Sequence, residues 1–396
     1  MNPLAALLSL SDTEKERRGL LNTPREIFQQ PETWLETIDR LAQLRPGLAE
    51  FIAEFLQEKA TRRPAVILAG AGTSDYVGRV VSRTLRRQWG CEVTAVPSTE
   101  LLTNLDDFIL LACRYLFISF SRSGESSEGV AVLELARMRY PSQVNHLVVT
   151  CNQSGAMAKM AGVCPLVLGA RTNDRGLAMT SSFTNMVLAG LYLAFVQAPE
   201  QFEPLAKKVA EVAANKMADI AEAATGLARR GFSRVCFLGA GPLQAVAEES
   251  ALKVLELNAG RIATVAQSPL GLRHGPLAFV DDQTLVVAYL SGEEQRQRYE
   301  LDLLDELAQK GLGAETLIVA PRAIARLVPS TAKLLVLNAP KDLPDFCLSL
   351  VHVVVGQLLG LFFSIENGIT PDSPSSGAIS RVVSHVRIYP FDGGAQ

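Results

Sequence analysis

From about residue 64 onward, short β-branched apolar runs alternate with helix-length amphipathic stretches. Residues 65–68, 115–118 and 146–150 each read as a strand. Strands separated by helix-length segments predict an α/β chain with a parallel, doubly wound sheet in three αβα layers, the flavodoxin-like arrangement. The pattern then returns. Ile67-Leu68-Ala69-Gly70-Ala71-Gly72 recurs as Cys236-Phe237-Leu238-Gly239-Ala240-Gly241, an offset of 169 residues from Gly70 to Gly239. The strand end at Ser119 matches Ser291 at an offset of 172, and Thr150 matches Ala320 at 170. Three strand ends at nearly one offset predict two tandem copies of one domain, residues 46–210 and 211–396, joined in the Ala-rich, charged stretch 200–225.

Residues 1–45 are polar and helical in pattern, which predicts an N-terminal helical arm outside the core. Thr23-Pro24-Arg25-Glu26 has the form of a helix start, with threonine as N-cap, proline at the first helical position and glutamate closing a capping box. The longest apolar stretch, 348–363, is short for a bilayer span and carries His352 and Gln357. It predicts a buried or subunit-interface helix.

Composition narrows the class. A chain of 396 residues exceeds the usual size of a single core, in keeping with two domains. With 48% hydrophobic and 20% charged residues and a net charge of −3, it reads as an ordinary folded protein with no nucleic-acid partner and no membrane span. The first residues lack a basic stretch and a cleavage pattern, so export is not expected. Six scattered cysteines, with no C-x-x-C and no zinc spacing, predict reduced thiols in a cytoplasmic protein and no metal site.

In an open parallel sheet, ligands bind beyond the carboxyl ends of the strands. There the first copy carries Ser119-Phe120-Ser121-Arg122-Ser123-Gly124-Glu125-Ser126-Ser127, a strand running through hydroxyls and glycine into a helix. Such a loop suits a phosphate dianion, although a Ser-rich cap and turn would read the same. Gly70-Ala71-Gly72-Thr73-Ser74 ends the neighbouring strand as a second donor loop. It lacks the third glycine of G-x-G-x-x-G, so no nicotinamide cofactor is expected. The second copy retains only Ser291-Gly292-Glu293-Glu294 and is expected to bind no phosphate of its own. It offers instead a helix over 242–257 with Glu249, Lys253 and Glu256 on one face. That stripe is either a solvated ion pair or, given the Ala, Val and Leu around it and the closing Asn258-Ala259-Gly260, a buried site. A Gly/Pro loop follows, Ser268 to Pro276, with His274 as a candidate acid/base group.

Taken together, Thr73-Ser74, the S-x-S-G-E-S loop, the E-x-x-x-K-x-x-E helix and Arg273-His274-Gly275-Pro276 resemble the sugar isomerase (SIS) domain family, as in the isomerase half of glucosamine-6-phosphate synthase. The match runs through both repeats in the same order. Thr23, Glu26-Ile27, Gln30-Pro31 and Trp34, with residues 174–183, resemble more narrowly the AgaS-type galactosamine-6-phosphate deaminase/isomerases, over nearly the whole chain.

The resemblance implies two tandem SIS domains and a small-molecule amino sugar phosphate as partner. Thr73, Ser74, Ser121, Ser123 and Ser126 would hold the phosphate, with Arg122 where the synthase-like pattern has glutamine. Glu256 would shuttle a proton between C1 and C2, beside Lys253 and Glu249. His274 would open the sugar ring, reaching a neighbouring subunit's site in a homodimer or larger homo-oligomer. Asp174 would lie near the substrate's polar groups. Arg381 stands where the synthase-like tail carries a lysine, but a guanidinium stays protonated and cannot relay protons. The spacing from Glu256 to His274 is two residues longer than the synthase-like one. The implied reaction takes galactosamine 6-phosphate through an enolamine to tagatose 6-phosphate and ammonia, with no metal or other cofactor. Glucosamine-6-phosphate deamination, plain aldose/ketose isomerisation and a non-catalytic sugar-phosphate sensor are the alternatives. Synthesis is disfavoured because the chain has no room for a glutaminase domain.

Overall fold

Among the described residues, ten strands form two parallel sheets of five. The computed structural model describes residues 2–57, 62–321, 327–329, 332–375, 377–383 and 386–389. The first sheet comprises β1 (Arg63–Gly70), β2 (Glu92–Pro97), β3 (Cys113–Ser121), β4 (Val144–Thr150) and β5 (Val163–Val167), in the order β2-β1-β3-β4-β5. The second comprises β6 (Arg234–Gly239), β7 (Ala263–Gln267), β8 (Thr284–Tyr289), β9 (Glu315–Ala320) and β10 (Lys333–Val336), in the order β7-β6-β8-β9-β10. Both have the doubly wound 2-1-3-4-5 order, with helices between the strands. Every residue of β8 is buried, as expected where a parallel strand is covered on both faces.

The duplication is closer than the strand ends suggested. Pairing sets Ala69 beside Ser119 in one sheet and Leu238 beside Ala288 in the other, so Ser119 corresponds to Ala288 and not to Ser291. Ser291 takes the place of Ser123. The Ser123 hydroxyl accepts from the Glu125 N–H at 3.2 Å, and the Ser291 hydroxyl accepts from the Glu293 N–H at 3.0 Å. The second copy has thus lost residues from its loop, and the strand register is unchanged. Gly72 and Gly241 open matching helices with φ of 54° and 62° and ψ of −125° and −128°, a backbone that only glycine adopts readily.

The chain folds as two compact units, each assembled from separated segments. The first-sheet unit takes residues 36–173, 185–199 and 380–396; the second-sheet unit takes 1–35, 174–184 and 200–379. In the latter, the N-terminal segment contributes side chains to the core and is not an external arm. Leu4, Leu20, Ile27 and Trp34 are at most 2% exposed. Ile27, Gln30 and Trp34 recur at helical spacing and turn one stripe inward. The Thr23–Glu26 capping box does not form either. Thr23 Oγ1 donates to Asp372 Oδ1 at 2.7 Å, and Glu26 accepts the N–H groups of Arg175 and Gly176. Tertiary partners have taken both side chains.

The apolar stretch lies in helix Asp345–Glu366. By length and composition this helix could cross a membrane, yet 94% of its apolar window is buried inside the protein. It packs on helices Pro242–Leu257 and Glu203–Ala228 of its own unit, so it is a core helix and presents no subunit-facing apolar surface.

Candidate functional site

Helix Pro242–Leu257 owes its position to two glycines on helix Asp345–Glu366. A Cβ on Gly356 would lie 2.3 Å from Ser250 Oγ, and one on Gly360 would lie 3.0 Å from the Lys253 carbonyl oxygen. The two helices therefore meet almost backbone to backbone, and Glu249 and Lys253 are sealed from water. Their side chains are 0% exposed, while that of Glu256 is 24% exposed. A solvated stripe is excluded. Lys253 Nζ lies 3.4 Å from Glu249 Oε1 and donates to Glu256 Oε2. Burial by itself pulls the lysine pKa down, but the two carboxylates outweigh it and raise the value above that of an ordinary lysine. The ammonium stays charged, and it anchors one oxygen of a glutamate that still reaches solvent. Such a carboxylate is positioned to accept a proton from carbon and return it.

His274 sits in the same unit on the turn after β7, its ring exposed and its backbone N–H bonded to the Gly271 carbonyl at 3.1 Å. No described hydrogen bond joins its side chain to the Lys253 cluster. Asp174 is fully buried, and its carboxylate accepts from the N–H groups of Thr180 at 2.8 Å, Ser181 at 3.2 Å and Ser182 at 2.8 Å, holding the start of helix Ser181–Ala194. Glu26 braces the same loop from the other side. Burial first, then the charge of Asp174, pushes its pKa up to about 8 against the pull of its backbone donors. Trp34 Nε1 donates to Thr184 Oγ1 at 2.9 Å, and Thr184 Oγ1 donates to Gln30 Oε1 at 2.7 Å. The two stretches that carried the narrower resemblance, the N-terminal pattern and residues 174–183, are thus bonded to each other.

The first-sheet unit holds the hydroxyl loops. Thr73 and Ser74 open helix Thr73–Trp89 directly after β1, Ser121 ends β3 and Ser123 follows it; all four are buried. The strand order reverses between β1 and β3, which is where a doubly wound sheet opens a crevice. Ser121 Oγ accepts from Gly124 N–H at 3.0 Å, and Ser123 Oγ from Glu125 N–H at 3.2 Å. Each hydroxyl thus shapes the loop as an acceptor. Ser126 precedes helix Ser127–Arg139 with no cap hydrogen bond from its hydroxyl.

Arg122 is buried and donates to the Arg381 carbonyl oxygen, while Arg381 Nη2 donates to Asn173 Oδ1 at 2.7 Å. Val383 accepts from the N–H of Ser127 at 3.2 Å. The two arginines therefore tie the tail to the hydroxyl loop. Sequence reasoning missed Asn173 in this tie, which carries no local motif, and read Glu26 as a capping residue and not as a buried acid; both roles exist only through partners far along the chain.

No protein-family model matches the chain. It is 37% identical over 379 residues to the D-galactosamine-6-phosphate deaminase AgaS of Escherichia coli, covering 93% of this chain and 96% of the relative. It is 32% identical over 392 residues to the protein of the same name from Shewanella sp. (strain ANA-3), covering 97% and 96%. Among solved structures, tagatose-6-phosphate ketose/aldose isomerase from Escherichia coli superposes with a TM-score of 0.83 at 34% identity, covering 93% of this chain and 97% of that one.

Proposed function

The chain belongs to the AgaS-type D-galactosamine-6-phosphate deaminases of the sugar isomerase domain family, and from that premise we propose that it converts galactosamine 6-phosphate to tagatose 6-phosphate and ammonia. The observation that carries the chemistry is the buried Lys253, held charged between Glu249 and the partly exposed Glu256.

In this reading Ser121, Ser123 and Ser126, with Thr73 and Ser74, bind the sugar phosphate through hydroxyl protons and helix N-termini. His274 assists ring opening and serves a neighbouring subunit of a homo-oligomer, a role that suits its exposed ring. Glu256 removes the proton from C2 of the open-chain aldehyde, leaving an enolamine with its hydroxyl on C1. Returning that proton to C1 gives the C2 imine, and water adds there to expel ammonia and leave the ketose phosphate. Lys253 keeps Glu256 oriented throughout. Arg122 and Arg381 act by seating the tail, and Asp174 acts by building the loop it caps. The six free thiols suit a reducing, cytoplasmic setting.

Plain ketose/aldose isomerisation is the second reading, favoured by the name of the solved relative. An ammonia-release assay on galactosamine 6-phosphate and glucosamine 6-phosphate separates them, with tagatose 6-phosphate and fructose 6-phosphate as reverse-direction controls. Ammonia from the galacto substrate is expected. Interconversion of neutral aldose and ketose phosphates with no ammonia from either amino sugar would replace the deaminase with the isomerase.

A further inference from the structure

The loop after β8 occupies the place that the hydroxyl loop holds in the first repeat, and its donors point at a carboxylate. Asp345, 3% exposed and the first residue of helix Asp345–Glu366, receives the Gly292 N–H on Oδ1 at 2.7 Å. Its Oδ2 receives the Ser291 hydroxyl and Arg296 Nη1, the latter at 2.7 Å. Ser291 and Gly292 are the counterparts of Ser123 and Gly124. The Arg296 guanidinium also lies against Gly241, where a Cβ would sit 2.9 Å from its carbon, so it crosses the turn that corresponds to Gly72. Glu300, 1% exposed, accepts the Ser291 N–H on Oε2 at 2.9 Å, and its Oε1 has no hydrogen-bond partner among the described residues.

A hydroxyl, a loop N–H and a guanidinium converging on one anion are the donors with which proteins hold a phosphate. Here the anion is part of the chain. We propose that the crevice of the second repeat is an oxyanion site permanently filled by the Asp345 carboxylate, and that removing this carboxylate opens it to phosphate or sulfate. The internal anion explains why the second repeat can keep its loop donors without binding a ligand. It also pins the start of the helix that covers Lys253. The inference stands on the donors around Asp345 and is independent of what the first-repeat loop binds.

Equilibrium dialysis with radiolabelled inorganic phosphate tests it on the full chain. Asp345→Ala is expected to bind one more phosphate per chain than wild type, and to gain more in Tm from phosphate than wild type does. Adding Arg296→Gln should return the count to that of wild type. Equal counts for wild type and Asp345→Ala, or an extra phosphate that survives Arg296→Gln, would overturn the site. If Asp345→Ala does not fold in plain buffer, refolding in sulfate and in chloride at equal ionic strength decides: recovery in sulfate alone supports the site, and failure in both counts against it. Asp345→Asn keeps the space filled and should keep the wild-type count; an extra phosphate there would place the anion elsewhere and overturn the assignment.

Discussion

Lys253 is fully buried between two carboxylates, and it is the residue on which the cluster depends. Replacing it with methionine leaves Glu249 charged and buried without its cation, so Lys253→Met should lose about 3–5 kcal/mol in urea unfolding. Pairing it with Glu249→Gln should recover part of that loss; additive losses would show that the two do not act as a pair. Glu256→Gln keeps the bond to Lys253 but cannot take a proton from carbon. Its turnover should fall by roughly 10²- to 10⁴-fold with KM little changed. Solvent deuterium is expected at C1 of the product made by wild type, and its absence would mean direct hydride transfer. On the hydroxyl loop, Ser121→Ala with Ser123→Ala removes the two donors proposed for the phosphate, at about 1–3 kcal/mol each, and the loss should fall on KM. A normal KM with reduced kcat would move the phosphate elsewhere.

At the scale of elements, helix Pro242–Leu257 is placed by helix Asp345–Glu366. Gly356 and Gly360 lie one turn apart and let helix Asp345–Glu366 approach the Ser250 and Lys253 turns within atomic contact. Ser250 Oγ is also 2.9 Å from the Tyr289 hydroxyl, which ties helix Pro242–Leu257 to the end of β8. A methyl group on Gly356 cannot fit without separating the helices. Gly356→Ala should therefore cost about 1–3 kcal/mol and lower kcat as Glu256 shifts. Wild-type stability and activity in this variant would show that the helices yield freely.

For the whole molecule, two buried acids contribute to the pH response. Burial, reinforced by Asp174 for Glu26 and by Asp345 for Glu300, raises each pKa from 4.5 to about 8. The folded state then holds more protons than the unfolded chain between those values, so the contribution of these two groups to stability is fully present below about pH 4.5 and is lost as the pH rises toward about 8. Glu26→Gln and Glu300→Gln should each flatten that decline in denaturation measured across the range; unchanged slopes would refute the raised values. The shared-site proposal is also tested on the assembly. Glu256→Gln and His274→Asn should be nearly inactive alone but complement when co-expressed. In freely exchanging dimers about half the dimers are mixed, each with one intact site, so about a quarter of all sites recover. No recovery despite subunit exchange confirmed by mass would confine His274 to its own chain.

The duplicated α/β architecture was legible in the sequence because strand periodicity and the two Gly-Ala-Gly turns are local signals repeated at one offset. Glu249, Lys253 and Glu256 were legible as a stripe for the same reason: helical spacing is a property of neighbours. Whether that stripe faced water or core was undecidable locally, since the answer lies in Gly356 and Gly360, a hundred residues further on. The same holds for Thr23 and Glu26. Their spacing satisfies a capping box, and only the folded chain brings Asp372 and the Arg175 N–H close enough to claim them. Ser291 looked like a remnant of a lost loop until Asp345 supplied its anion. Sequence by itself determined the elements and the chemical groups, because both follow from short-range pattern. Tertiary structure alone decided burial, charge state and partner, because each is set by atoms that the chain brings in from a distance.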